Sequence, residues 1–184
     1  MKEQDITFPV DEIKRIKHRR RRRSWALSVF LRITGIFVAV AVVVLVSALV
    51  LFPVVKISGS AVSSSYSNGD IVLLMKDMNV KRGQFCCIKW NNKLLFKRII
   101  AVGGDTVDID GNGNVFVNGV YVEEEYVENR ELGRCDIELP YRVPEGKLFV
   151  LSDVRSDYAD SRCDEIGNIE EDQILGVVVG KIWS

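Results

Sequence analysis

Between Arg32 and Pro53 the chain carries no charged residue, and this run, Ile33–Phe52, constrains the fold more than any other feature. About 20 residues at about 1.5 Å each cross the roughly 30 Å of hydrocarbon in a bilayer. The run is rich in Val and Ala, which in water suits strand or helix. In lipid a lone strand leaves its backbone polar groups unsatisfied, so a transmembrane helix is expected. Arg32 stands at its mouth, where its long side chain reaches the headgroups. A cleavable leader has an apolar region of about 7–15 residues behind a short basic start. This run is longer and starts later, so an uncleaved anchor is expected.

Acidic and basic residues balance at 25 each, but the balance hides a segregation. "KRIKHRRRRR", Lys14–Arg23, lies just before the apolar run, while acids concentrate after Asp105. Positive charge beside a span keeps that end in the cytoplasm, which puts the rest of the chain outside the cell membrane. An arginine run also suits nucleic acid, but here topology and contact with anionic lipid account for it. No nucleic-acid partner is expected. Of 184 residues, those beyond the anchor make one moderate domain. The expected division is a basic leader over 1–24, an anchor helix over 25–52 and an outer domain over 53–184.

After Ile71 short apolar runs alternate with turn residues: "IVLLM", "QFCCIKW", "LLFKRIIAV", "TVDID", "NVFVNGVYV", "KLFVLSD", "ILGVVVGKIW". This predicts an all-β barrel or sandwich preceded by one transmembrane helix. "DGNGN" and "VNGV" predict hairpin turns, because Asn-Gly and Asp-Gly supply positive φ. "DIDGNG" also opens like a calcium loop, yet the twelfth position is Gly119 where a bidentate glutamate is required, so a turn is the better reading.

No CxxC pair occurs, and the single histidine, His18, lies in the leader, which disfavours a zinc site. Cys86 and Cys87 are adjacent, so on a strand they face opposite ways and do not pair. A Cys135–Cys163 bond is compatible with an oxidising compartment and stays open.

Without a histidine in the outer domain, a serine nucleophile there needs another base. Lysine serves when burial among apolar groups disfavours the charged form. Lys97, inside "LLFKRIIAV", has that setting if its strand is interior; on an edge strand it would instead snorkel to water. Arg98 points to the other face.

These residues carry a resemblance. "SGSAVSSSYSNGD", "FKRIIAVGGDTV", "VFVNGVYVEEEYV" and "SDVRSDYADSRCDEIGNI" stand in the order and spacing of type I signal peptidases, membrane-anchored Ser/Lys endopeptidases, with a Gram-positive-like single span. The resemblance runs from the anchor to Trp183. It implies a β-rich catalytic domain at the outer membrane surface, no metal or organic cofactor, Lys97 as general base, and signal peptides of exported preproteins as partners. The family's nucleophile segment, G-x-S-M-x-P-T-L-x-x-G-D, laid on Gly59–Asp70 puts Ala61 at the nucleophile, Val62 at the methionine, Ser64 at the proline and Ser65 at the threonine. In the last box, G-D-N-R-x-x-S-x-D-S-R, Ser152, Val154 and Tyr158 replace Gly, Asn and the Ser that bonds the lysine. Asp153, Arg155, Asp160, Ser161 and Arg162 match.

Two readings follow. With a remodelled loop, Ser60, beside Gly59, is the fallback nucleophile, and Ser63 a further candidate. Otherwise the chain is an inactive homologue that binds signal peptides, or regulates an active signal peptidase paralogue. A membrane-tethered β adaptor, outside protease chemistry altogether, is the other class.

Overall fold

The computed structural model describes residues 10–58, 63, 65–76 and 79–184, with side chains from Trp25 onward, Ala26 excepted. The chain divides into two compact units, 1–49 and 50–184.

The first unit is helical. Helix α1 (Val10–Leu51) contains an apolar stretch, Leu27–Leu51, of 25 residues, long and apolar enough to cross a membrane. The helix starts well before residue 25, the first residue expected in the anchor helix. Lysine and arginine are good helix formers, and no Gly or Pro interrupts the chain between Val10 and Gly35. It stops at Leu51 because Phe52 precedes Pro53, whose ring disfavours helical backbone in the residue before it.

The second unit is built of short strands: β1 (Val54–Lys56), β2 (Ile71–Met75), β3 (Phe85–Trp90), β4 (Lys93–Val102), β5 (Thr106–Ile109), β6 (Val115–Val117), β7 (Val120–Tyr121), β8 (Tyr141–Arg142), β9 (Lys147–Leu151), β10 (Ile169–Glu170) and β11 (Ile174–Trp183). The all-β expectation holds. Every apolar run singled out in the sequence is a strand; β1, β8 and β10, of two or three residues, are too short to announce themselves. Two antiparallel sheets result, one in the order β1-β2-β11-β3-β4-β9-β10, the other β7-β6-β5-β8.

Strand alternation explains the core. Cys86 packs with Ile88, Ile99 and Val150, while Cys87 packs with Val72, Leu74 and Phe96. The adjacent thiols therefore sit in different clusters, as expected of neighbours on a strand. All four cysteines are free. A third cluster, with Ile100, Phe149 and Leu151 beside Val107 and Val117, includes residues of both sheets.

The hairpin turns are where the Gly dipeptides put them. Between β5 and β6 the Asp110 carboxylate accepts the Asn112 and Asn114 backbone N–H groups and the Asn114 side-chain amide, which holds Asp110 below the usual carboxylate range. Gly113 has φ +80°, and a Cβ there would lie 2.3 Å from the Glu131 backbone, so no other residue fits this turn. The calcium-loop lookalike is a hairpin closed by its own aspartate. Asn118 and Gly119, φ +54° and +77°, make the β6–β7 turn.

Candidate active site

Strand β4 is interior, hydrogen-bonded to β3 on one side and β9 on the other. Lys97 faces Cys86 across the ladder and is 4% exposed, so the buried-strand reading holds and the snorkelling one does not. Its Nζ donates to Ser152 Oγ at 2.6 Å and to Asp157 Oδ2 at 2.8 Å. Ser152 follows β9 directly, and its hydroxyl lies 3.3 Å from the same Asp157 oxygen. Burial alone would raise the Asp157 carboxyl. The Lys97 charge outweighs it, together with hydrogen bonds from Lys97, the Ala159 N–H and Ser152, and holds Asp157 below its usual range.

Arg98 takes the opposite face, opposite Phe85 in the ladder. Its guanidinium grips Asp153 two-pronged, Nε to Oδ1 at 2.9 Å and Nη2 to Oδ2 at 2.6 Å, and donates through Nη1 to the Gly83 carbonyl. It stacks 3.7 Å over the Tyr126 ring. Ser63, 8% exposed, donates its hydroxyl to Asp153 Oδ2 at 2.7 Å. Its proton acceptor is therefore a carboxylate already paired with Arg98, and not Lys97.

Below this pair lies the frame of the last box. Asp160 accepts from Arg162 Nε and Nη2 at 2.9 and 2.8 Å and from the Ser152 N–H at 2.9 Å. Arg162, fully buried, also donates to the Leu132, Arg155 and Asp157 carbonyls. The Ser161 hydroxyl caps the Val150 N–H at 3.0 Å. Arg155 pairs with Glu124, both side chains 1% exposed.

The structure thus brings Lys97 and Ser152 into contact and ties Asp153 to Arg98 and Ser63. Gly59, Ser60, Ala61, Val62 and Ser64 lie outside the described residues. The chain on either side of them is pinned: Ile57 exchanges backbone hydrogen bonds with Asp70 and Gly69, and Ser63 with Tyr66. Asp70 is held below its usual range by Lys181, its partner at 2.8 Å, and by the Ser67 N–H.

Sequence reasoning did not single out Asp157 or Glu124. A lysine or arginine buried in apolar surroundings needs a counter-charge, so some acid was owed to each. Nothing local said which one, because the partners lie 60 and 31 residues apart.

Chemically the arrangement is a serine, a lysine and a carboxylate in hydrogen-bond contact. A general base needs a free lone pair on nitrogen. Here Lys97 Nζ is engaged by Ser152 Oγ at 2.6 Å and by the Asp157 carboxylate at 2.8 Å. Among the described residues no group of three His, Cys, Asp or Glu side chains is placed to hold a metal ion.

Comparison with known proteins agrees with the motifs. The family model for signal peptidase, peptidase S26, matches residues 30–183. Signal peptidase I of Bacillus licheniformis is 31% identical over 162 residues, 81% of this chain and 86% of its own. Signal peptidase I T of Bacillus subtilis strain 168 is 30% identical over 154 residues, 75% and 79%. A solved signal peptidase I from Enterococcus faecalis V583 aligns at 25% identity with a TM-score of 0.44, over 54% of this chain and 96% of that one. The chain belongs to the signal peptidase family, peptidase S26.

Proposed function

We propose that this chain is a membrane-anchored member of the family that binds signal-peptide segments of exported proteins and does not cut them. The observation that carries this reading is the engagement of Lys97 Nζ by Asp157 and Ser152. The family pattern adds to it by putting Ala61, which has no oxygen, at the nucleophile position. The Leu27–Leu51 stretch serves as the anchor, and the basic residues before it keep the N-terminus in the cytoplasm, with the β unit outside. Residues 1–24, 25–52 and 53–184 then act as leader, anchor and outer domain. Strand β1 pairs only with β2 among the described residues and leads into the Gly59–Ala61 segment. An extended peptide adds naturally to such an edge.

The competing reading, hydrolysis by Ser60, requires Lys97 to leave Asp157. Both are tested by fluorescence anisotropy of a labelled signal peptide with the full-length protein in detergent, followed by mass spectrometry of the peptide. Saturable binding with the peptide intact is expected; a cleaved peptide, or no binding, overturns the proposal.

A further inference from the structure

Cys135 and Cys163 stand on two segments that only folding brings together. Cys135 lies in the strandless stretch between β7 and β8, and Cys163 follows Arg162 at the end of the last box. The Asp136 N–H donates to the Arg162 carbonyl at 2.8 Å. That bond joins the peptide unit Cys135–Asp136 to the peptide unit Arg162–Cys163, so each cysteine stands next to it. A second contact ties the same places: the Asp136 carboxylate, which takes Arg134 Nε at 2.9 Å, also meets the Asp164 N–H and the Cys163 thiol.

Residues that face each other across backbone hydrogen bonds have Cα atoms about 4.5–5.5 Å apart, inside the range of about 4.4–6.8 Å that a disulfide spans. Access differs between the two thiols in a useful way. Cys135 is half-buried and open to a reagent, whereas Cys163 is nearly enclosed. Cys86 and Cys87 offer no such pairing, since both are fully buried and belong to different core clusters.

We propose that Cys135 and Cys163 form a redox pair whose disulfide staples the segment between β7 and β8 to the last box. The oxidant is a small disulfide of the glutathione class. The Cys135 thiolate attacks one of its sulfurs, the S–S bond breaks, and one thiol leaves. Cys163 then attacks Cys135 Sγ and the second thiol leaves, so the chain gives up two hydrogens and the oxidant becomes two thiols. The staple reinforces what Arg162 does by hydrogen bonds alone, from the Leu132 carbonyl in that segment to the Arg155 and Asp157 carbonyls in the box. Because Asp157 is also the partner of Lys97, the redox state of the pair bears on the site. The topology proposed above puts the pair where disulfides persist, but the chemistry requires neither that topology nor signal-peptide binding.

The test uses the full chain in detergent, equilibrated with oxidised glutathione, then denatured, blocked with N-ethylmaleimide, digested and read by mass spectrometry without reduction. The expected product is a Cys135–Cys163 cross-linked peptide, two hydrogens lighter than its parts, with Cys86 and Cys87 both blocked. Its formation should raise the thermal unfolding midpoint by about 5–10 °C, because a cross-link restricts the unfolded chain, and dithiothreitol should reverse the rise. Cys163→Ser, treated in the same way, should show no rise. Wild-type protein that keeps both thiols free, or keeps glutathione on Cys135, overturns the pair, since Cys163 is then out of reach. A cross-link that leaves the midpoint unmoved, or an equal rise in Cys163→Ser, overturns the staple.

Discussion

Lys97 Nζ lies 2.6 Å from the hydroxyl of Ser152. The family pattern has glycine at position 152 and places the lysine's hydroxyl partner at 158; here 152 is serine and 158 is tyrosine, 48% exposed with Arg134 over its ring. The two departures compensate. The lysine keeps a hydroxyl partner, from the end of β9 instead of the loop beyond it, and gains the Asp157 carboxylate.

The pair with Asp157 should show an asymmetry. Asp157→Asn strands a buried ammonium and is expected to lower stability by about 1–2 kcal/mol, reduced from the cost of breaking a fully buried pair because the Asp157 side chain is 37% exposed. Lys97→Met leaves only a carboxylate that water can reach, and should cost less. Thermal unfolding of both variants in the same detergent checks the order.

Acid should unfold the β unit in a defined window. Asp157 sits below its ordinary value of 3.8, as do Asp70, Asp105, Asp110 and Asp136. A depressed folded-state pKa contributes stability that is fully present above the unfolded value and lost as pH falls through the folded one. Stability measured by denaturant titration should therefore be flat above about pH 5 and fall below about pH 4. In Asp157→Asn the fall should be shallower.

Glu124 and Arg155 are both 1% exposed. Glu124→Gln should cost about 3–5 kcal/mol, since it leaves Arg155 buried without its charge partner. The double change to methionines should cost less than the sum of the single ones, read by a double-mutant cycle.

The thiols should sort by burial. Burial pushes Cys86 up beyond the range of ordinary thiols and Cys87 up to about 12, and thiolate is the reactive form. With Ellman's reagent the part-buried Cys135 should react first, and Cys86 and Cys87 only after denaturation.

Much of this was written locally. Short apolar runs bounded by turn residues announced the longer strands, Asn118-Gly119 and the Asp110 loop announced their turns, and adjacency alone sent Cys86 and Cys87 to opposite faces. The site was legible only by halves. Lys97 and Arg98 could be placed on a strand, but whether that strand was interior depended on β9 pairing from about 50 residues away. Asp157 has two acidic neighbours, Asp153 and Asp160, in the same short stretch, and only folding sends one to Arg98, one to Lys97 and one to Arg162. The helix outran its expected start because hydropathy marks where a membrane ends, whereas backbone propensity continues through a basic segment.

The measurement that tests the account most directly is cleavage of a signal-peptide substrate by the wild-type chain, Ala61→Ser, Asp157→Asn and the double variant. The account predicts an intact substrate with the wild type and cleavage by the double variant faster than by either single one, because the double variant supplies a nucleophile and frees Lys97 together. Cleavage by the wild type that Ser60→Ala and Lys97→Ala each abolish would contradict it and make Ser60 the nucleophile of a working peptidase.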